Sequence, residues 1–309
     1  MKNLDEVMSY LNKFVNDAVS SESEKLKIQK QILKLRDEQV NIMIVGGTGV
    51  GKSSTINALF DVTDACVGVG VDPETISIDR YEMGNLILWD TPGLGHGLKE
   101  DKKHRKNIVE KLTETVSDSD HLLIDLVLVI VDASNRDMGT SYELIDLIIN
   151  SYAHKDRIII ALNQADMAMK GRFWNSEENR PEPQLVEFLN NKVESIKRRI
   201  KNTNGLDIEP VYYSAGYTDG KEKQAPYNIS KLFYLIASNL KSDKAMIVCS
   251  SQSKDERNFR YDENNDRGES YFNKTKDLVV DFVKGTFETV ASAFSSVVSS
   301  VCSFFSSWW

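Results

Sequence analysis

Histidine and cysteine are scarce in this 309-residue chain, four and three respectively. Cys66, Cys249 and Cys302 fall far apart with no C-x-x-C spacing, which excludes a disulfide framework and a cysteine zinc site. His96, His104, His121 and His154 make no i,i+4 pair, so no protein-ligated metal is expected from them. Positive charge is not in excess either. The net charge of −8 argues against non-specific attachment to nucleic acid, and no specific DNA binding is expected. The opening residues, Met1 to Glu6, lack an apolar leader core, and with the few cysteines this points to a reducing, cytoplasmic setting. What remains is ordinary for a soluble globular chain, 41% hydrophobic and 27% charged.

Against that plain background one stretch stands out. Asn41-Ile42-Met43-Ile44-Val45 runs into Gly46-Gly47-Thr48-Gly49-Val50-Gly51-Lys52-Ser53, which spells G-x-x-x-x-G-K-S between a strand and a helix. Backbone N–H groups from Gly46, Thr48, Gly49, Val50 and Gly51 can wrap a β-phosphate. Lys52 reaches toward the β- and γ-phosphates, and the Ser53 hydroxyl suits Mg²⁺. Ser54 follows on the same helix start, whose dipole favours an anion. A nucleoside triphosphate is the implied ligand.

The base is addressed downstream. Arg157 to Leu162 is a second apolar run, and it ends in Asn163-Gln164-Ala165-Asp166, which resembles the N-K-x-D guanine signature of Ras-like GTPases. A carboxylate at Asp166 accepts from guanine N1–H and the exocyclic amine together, whereas adenine offers no such pair. Gln164 stands where the family has lysine and can cover the ring without a charge. Leu86-Ile87-Leu88-Trp89 leads into Asp90-Thr91-Pro92-Gly93, a D-x-x-G element, and Pro210 to Tyr213 leads into Ser214-Ala215-Gly216, an S-A-x loop.

Taken in order, these motifs resemble those of the translation-factor-class (TRAFAC) GTPases of the Era-like kind over residues 40 to 240. The bacterial prophage-type "50S ribosome-binding GTPase" family is nearest, with immunity-related GTPases further off. The resemblance implies a P-loop NTPase (Ras-like) α/β fold, with a mostly parallel six-stranded sheet, helices on both faces, and N- and C-terminal helical extensions. It implies GTP and GDP as ligands and Mg²⁺ held by Ser53, Thr75 and, through water, Asp90. The Gly93 N–H would sense the γ-phosphate, Thr75 would close on the metal when GTP is bound, and the Ala215 N–H would meet guanine O6. Lys52, Thr75, Gly93 and His96 form the catalytic set.

The chain departs from the family where water is positioned. Leu94 replaces the glutamine that follows D-x-x-G, and leucine cannot orient water. His96 is the local substitute; a flexible loop histidine is the equal alternative. Gly49 replaces the asparagine of potassium-activated members. Slow intrinsic turnover follows, helped by a homodimer across the nucleotide face or by a ribosome or other protein effector. Arg80, Arg105 and Arg136 border the region in which an arginine finger would act.

Four segments are expected. Apolar residues at three- and four-residue steps from Leu4 to Val19, then Ser21-x-x-Glu24 as a capping box, predict a helical extension over 1–39. Alternating strands and helices predict the GTP-binding domain over 40–245 with a sheet flanked on both faces. The charged stretch 250–277 reads as a mobile linker. In 278–309, Val280, Val283, Phe287, Val290 and Phe294 begin an apolar stripe opposite a serine face, and no charge follows Glu288. This helix can dock on the N-terminal helices or lie on a membrane surface, which would make the chain a peripheral, self-assembling, dynamin-like or septin-like GTPase.

Overall fold

The structure, a computed structural model, describes residues 4–19, 21–60, 62, 66–68, 78–94, 98–117, 119–219 and 222–287. Two helices come first, α1 (Leu4–Ala18) and α2 (Glu22–Asp37). Ser21 is the N-cap of α2, as its sequence predicts, but its side chain makes no capping bond and pairs with the Ser23 hydroxyl instead. Then follow β1 (Val40–Gly46), α3 (Lys52–Leu59), β2 (Cys66–Gly68), β3 (Asp79–Met83), β4 (Leu86–Asp90), α4 (Leu98–Thr113), β5 (Leu126–Asp132), α5 (Gly139–Ser151) and β6 (Ile158–Asn163). A small hairpin, β7 (Trp174–Asn175) with β8 (Arg180–Pro181), precedes α6 (Pro183–Asn204) and β9 (Val211–Tyr212). The chain continues through β10 (Tyr217–Asp219), β11 (Glu222–Gln224), α7 (Ile229–Ser238), α8 (Ser242–Ser250) and α9 (Glu269–Phe287).

The main sheet has the order β2-β3-β4-β1-β5-β6-β9. Five strands, β4 to β9 in that order, are parallel, and β3 joins β4 antiparallel. The six expected strands are all present, and the three-residue β2 extends the edge beyond β3. The antiparallel member of these six lies at Asp79–Met83. β1 is buried along its whole length, as a strand covered on both faces must be.

Side chains alternating along β1 feed two cores. Ile42 and Ile44 pack with α1, α2, α3, α7, α8 and α9, while Met43 and Val45 pack with α4, α5 and α6. Both extensions therefore lie on the α3 side of the sheet. An ionic group centred on the buried Asp125 links them to the sheet: Lys244 of α8 donates to Asp125 Oδ1 at 2.6 Å and pairs with Glu38 at 3.1 Å, while Asp125 Oδ2 accepts the Asn41 N–H of β1 at 2.9 Å.

Two expectations about the C-terminal third change. The stretch 250–277 is folded, not a mobile linker, because its polar side chains are spent on local turns. Asp255 caps the turn Glu256–Phe259, Asp262 accepts from the Asn264 and Asn265 N–H groups and from Ser230, and Asp266 accepts from the Ser270 N–H. Phe259 and Tyr271 are buried among them. The last helix also begins at Glu269 instead of 278, and Val279, Val280, Phe282 and Val283 are buried. Residues from 288 onward lie outside the described ones. Among the described residues, no helix is long and apolar enough to cross a membrane.

Candidate functional site

The loop Gly46 to Gly51 joins β1 to α3 at the carboxyl end of the parallel strands, where open α/β sheets place their ligands. Gly51 takes φ +87°, and a Cβ there would stand 2.3 Å from Asn163 Nδ2, so both conformation and space demand glycine. Lys52 opens α3. Its Nζ folds back on the loop carbonyls, 3.2 Å from Gly47 O and 3.5 Å from Gly46 O, and burial lowers its pKa against the opposing pull of Asp90.

The D-x-x-G segment is laced to this loop from the side. Thr91 N–H and its hydroxyl both donate to Ile44 O, and Thr48 N–H donates to Leu94 O at 3.0 Å. Gly93 lies so close to Thr48 that a Cβ would meet the Thr48 backbone at 2.6 Å. Leu94, standing in the water-positioning place, points into the core on the α4 side, so its role is packing.

Asp90 is 8% exposed, and its Oδ1 is buried with no hydrogen-bond partner. Its Oδ2 faces the Ser53 hydroxyl at 3.5 Å. Burial raises the Asp90 pKa to about 6; Lys52 works in the other direction, and Asp79, its register partner on β3, adds to the rise. A hard oxygen pair with one unsatisfied carboxylate atom suits Mg²⁺, which takes one or two protein oxygens and completes its shell with water and phosphate. The residues present therefore fit that ion.

The base side is built around Asn163, 2% exposed at the end of β6. Its Nδ2 donates to Val50 O and its Oδ1 accepts the Ala215 N–H, each at 2.9 Å, so a single amide joins the phosphate loop to the S-A-x loop. The Ala215 N–H expected to meet guanine O6 is thus given to Asn163 here. Gln164, with φ +63°, donates to Gly49 O at 2.8 Å. Asp166 is buried in the turn Ala165–Gly171, and the Ala165 N–H is held by Tyr213 O. Ser214 is buried, its backbone paired both ways with Tyr227 and its hydroxyl accepting the Gly216 N–H.

One pair at the site has no signal in sequence. The Thr55 hydroxyl donates to Gly51 O at 2.8 Å and meets Tyr213 Oη at 2.6 Å. Because the Thr55 proton is committed to Gly51, the Tyr213 hydroxyl must be the donor. A relay therefore runs from the strand carrying the base loop to the last glycine of the phosphate loop, between residues 158 apart in the chain.

Of the residues expected from sequence, the loop glycines, Thr48, Val50, Lys52, Ser53, Asp90, Gly93, Asn163, Gln164, Asp166, Ser214 and Ala215 are gathered at this end of the sheet. Ser54 is exposed on α3. Thr75 and His96 lie outside the described residues. Arg80 pairs with Glu82 and Arg105 with Glu143, each at 2.5 Å, so two of the three candidate fingers are engaged elsewhere.

Residues 41–164 match the model of the 50S ribosome-binding GTPase family. Among curated proteins, the chain is 31% identical over 99 residues to a probable GTP-binding protein EngB from Methanococcus aeolicus, covering 31% of this chain and 42% of that one. It is 30% identical over 151 residues to a probable EngB from Methanococcus maripaludis, 47% of this chain and 60% of that one. It is 27% identical over 167 residues to the GTPase Der of Buchnera aphidicola, 52% of this chain and 34% of that one. The chain thus spans about half or less of the length of most of these relatives, and less than two thirds of any. A solved structure of a probable GTP-binding protein engB covers 65% of this chain and 98% of that chain at a TM-score of 0.36 and 21% identity.

Proposed function

We propose that the chain, whose residues 41–164 match the 50S ribosome-binding GTPase model, is a P-loop GTPase that binds GTP with Mg²⁺ and hydrolyses it to GDP and phosphate as a molecular switch. The observation that carries this is Asn163, whose one amide holds the phosphate loop and the base loop at a fixed separation. Guanine would be selected by Asp166, a buried carboxylate that needs donors opposite it. Lys52 would leave the loop carbonyls for the β- and γ-phosphates, gaining charge partners for an ammonium that burial disfavours. Ser53 and Asp90 would hold the ion, which supplies charge neutralisation at the phosphates. Thr75 and Gly93 would report the γ-phosphate, with His96 the candidate for orienting water.

Leu94 is buried, so no side chain from the usual place can reach an attacking water. Turnover is therefore slow in the isolated chain and rises with a homodimer partner across the nucleotide face or with a protein effector such as the ribosome. The dynamin-like alternative draws no support from 279–283, where Val279, Val280, Phe282 and Val283 are already buried in the fold.

The test is GTP turnover by the full chain, from single-turnover conditions through a hundredfold range of protein concentration, with and without liposomes. Lys52→Ala is expected to remove nucleotide binding. GTP affinity retained in that variant, or turnover stimulated by lipid alone, would overturn the reading.

A further inference from the structure

The helix that carries Lys52 and Ser53 is short, eight residues and about 12 Å long. Its last carbonyls have no partners within the helix and must find them outside. Ile56 O is satisfied locally by the Phe60 N–H at 2.8 Å. Those of Ala58 and Leu59 are satisfied from the C-terminal third of the chain. Ala58 O accepts from Asn258 Nδ2 at 3.2 Å, across 200 positions of sequence, and Leu59 O accepts from the Ser253 N–H at 2.9 Å. Phe60 also forms an antiparallel bridge with Gln252.

The group making these contacts is itself held rigidly. Asn258 reaches the Ser253 hydroxyl at 3.3 Å, and the same hydroxyl accepts the Asp255 N–H. Gln252 and Ser253 are 3% and 4% exposed. Phe60 meets Phe233 at 6.1 Å and Phe233 meets Phe259 at 5.9 Å, so an aromatic row backs the strap. All these contacts except those of α3 and Phe60 come from outside residues 41–164.

We propose that Asn258, with Gln252 and Ser253, is a positioning element for the nucleotide reaction. The strap fixes the carboxyl end of α3 and the point at Phe60 from which the chain leaves for Thr75. A lever of eight residues with one end clamped sets the place of Lys52 and Ser53 at the other. Displacements far below 1 Å at such groups are felt in the reaction step more than in ground-state binding. The inference rests on the GTPase reading above.

The experiment compares the full-length wild type with Asn258→Ala and Asn258→Asp, the second keeping the side-chain shape while removing its donor. Thermal melts, GDP affinity, and KM and kcat for GTP are measured on each. Both variants are expected to fold, to hold GDP and GTP within about twofold of wild type, and to lose about tenfold in kcat. A lowered melting temperature with kcat unchanged would overturn the proposal, because a purely structural strap behaves that way. So would a parallel change in KM and kcat, or an effect seen in the alanine variant and absent in the aspartate one. A wild type that turns over no GTP would instead overturn the reading on which the inference rests.

Discussion

Asp90→Asn should make the nucleotide-free protein more stable at neutral pH while spoiling its site. In the folded chain the Asp90 carboxyl titrates at about 6 against an ordinary 3.8, chiefly because it is buried. A raised folded pKa means that the folded state holds the proton more tightly than the unfolded one. Its stabilising contribution is therefore complete below about pH 3.8 and is lost as pH rises through about 6. A difference of roughly two pKa units corresponds to about 3 kcal/mol at most. Asparagine has no charge to desolvate but leaves its own buried amide to satisfy, so a net gain of about 1 to 3 kcal/mol is expected at pH 8. Urea unfolding in EDTA without nucleotide, on wild type and variant at pH 4 and pH 8, measures it. The two should converge at the lower pH and separate at the higher, and Mg²⁺-dependent nucleotide affinity should fall in the variant. A difference between the proteins that stays constant across the window would refute the assignment of Asp90 as a strained, ion-awaiting carboxylate.

Two further outcomes test the base side. Asp166→Asn exchanges an acceptor for a donor opposite position 2 of the base; GTP affinity should drop on the order of 100-fold and xanthosine triphosphate should gain, as read by competition binding. Tyr213→Phe removes the donor of the relay to Thr55 and should cost about 1 kcal/mol in urea unfolding, with faster release of labelled GDP; unchanged release would show that the relay does not couple the two loops.

The sheet and the phosphate loop were legible because each has a strong local signature. Ile42 to Val45 and Leu126 to Val131 are unbroken apolar runs, as strands covered on both faces must be, and within the loop Gly46 and Gly51 are dictated by close approach and Gly49 by its positive φ. The strand Cys66–Gly68 is too short to carry a pattern. Helix α8 was hidden because Ala245 to Cys249 is a continuous apolar run with no helical period, which reads equally as a strand or as nothing. The stretch around Asp255, Asp262 and Asp266 was misread for a different reason. Its composition is that of a disordered segment, and only the geometry shows those carboxylates closing turns around Phe259 and Tyr271. Within the site, contacts between neighbours in sequence were foreseeable, while Thr55 with Tyr213 and Ala58 with Asn258 depend on the tertiary fold alone.

The ionic group of Lys244, Asp125 and Glu38 bears on how this protein can be dissected. Cutting the chain at 245, the boundary that composition suggests, would sever α8 just after the lysine and discard the residues that cover Phe60 and Phe233. Asp125 would be left at the foot of β1 beside a frayed end, and a fragment confined to 41–164 would keep the carboxylate without its partner Lys244. Expression of the matched segment alone should therefore yield aggregate, and the smallest unit worth purifying runs from α1 through α9.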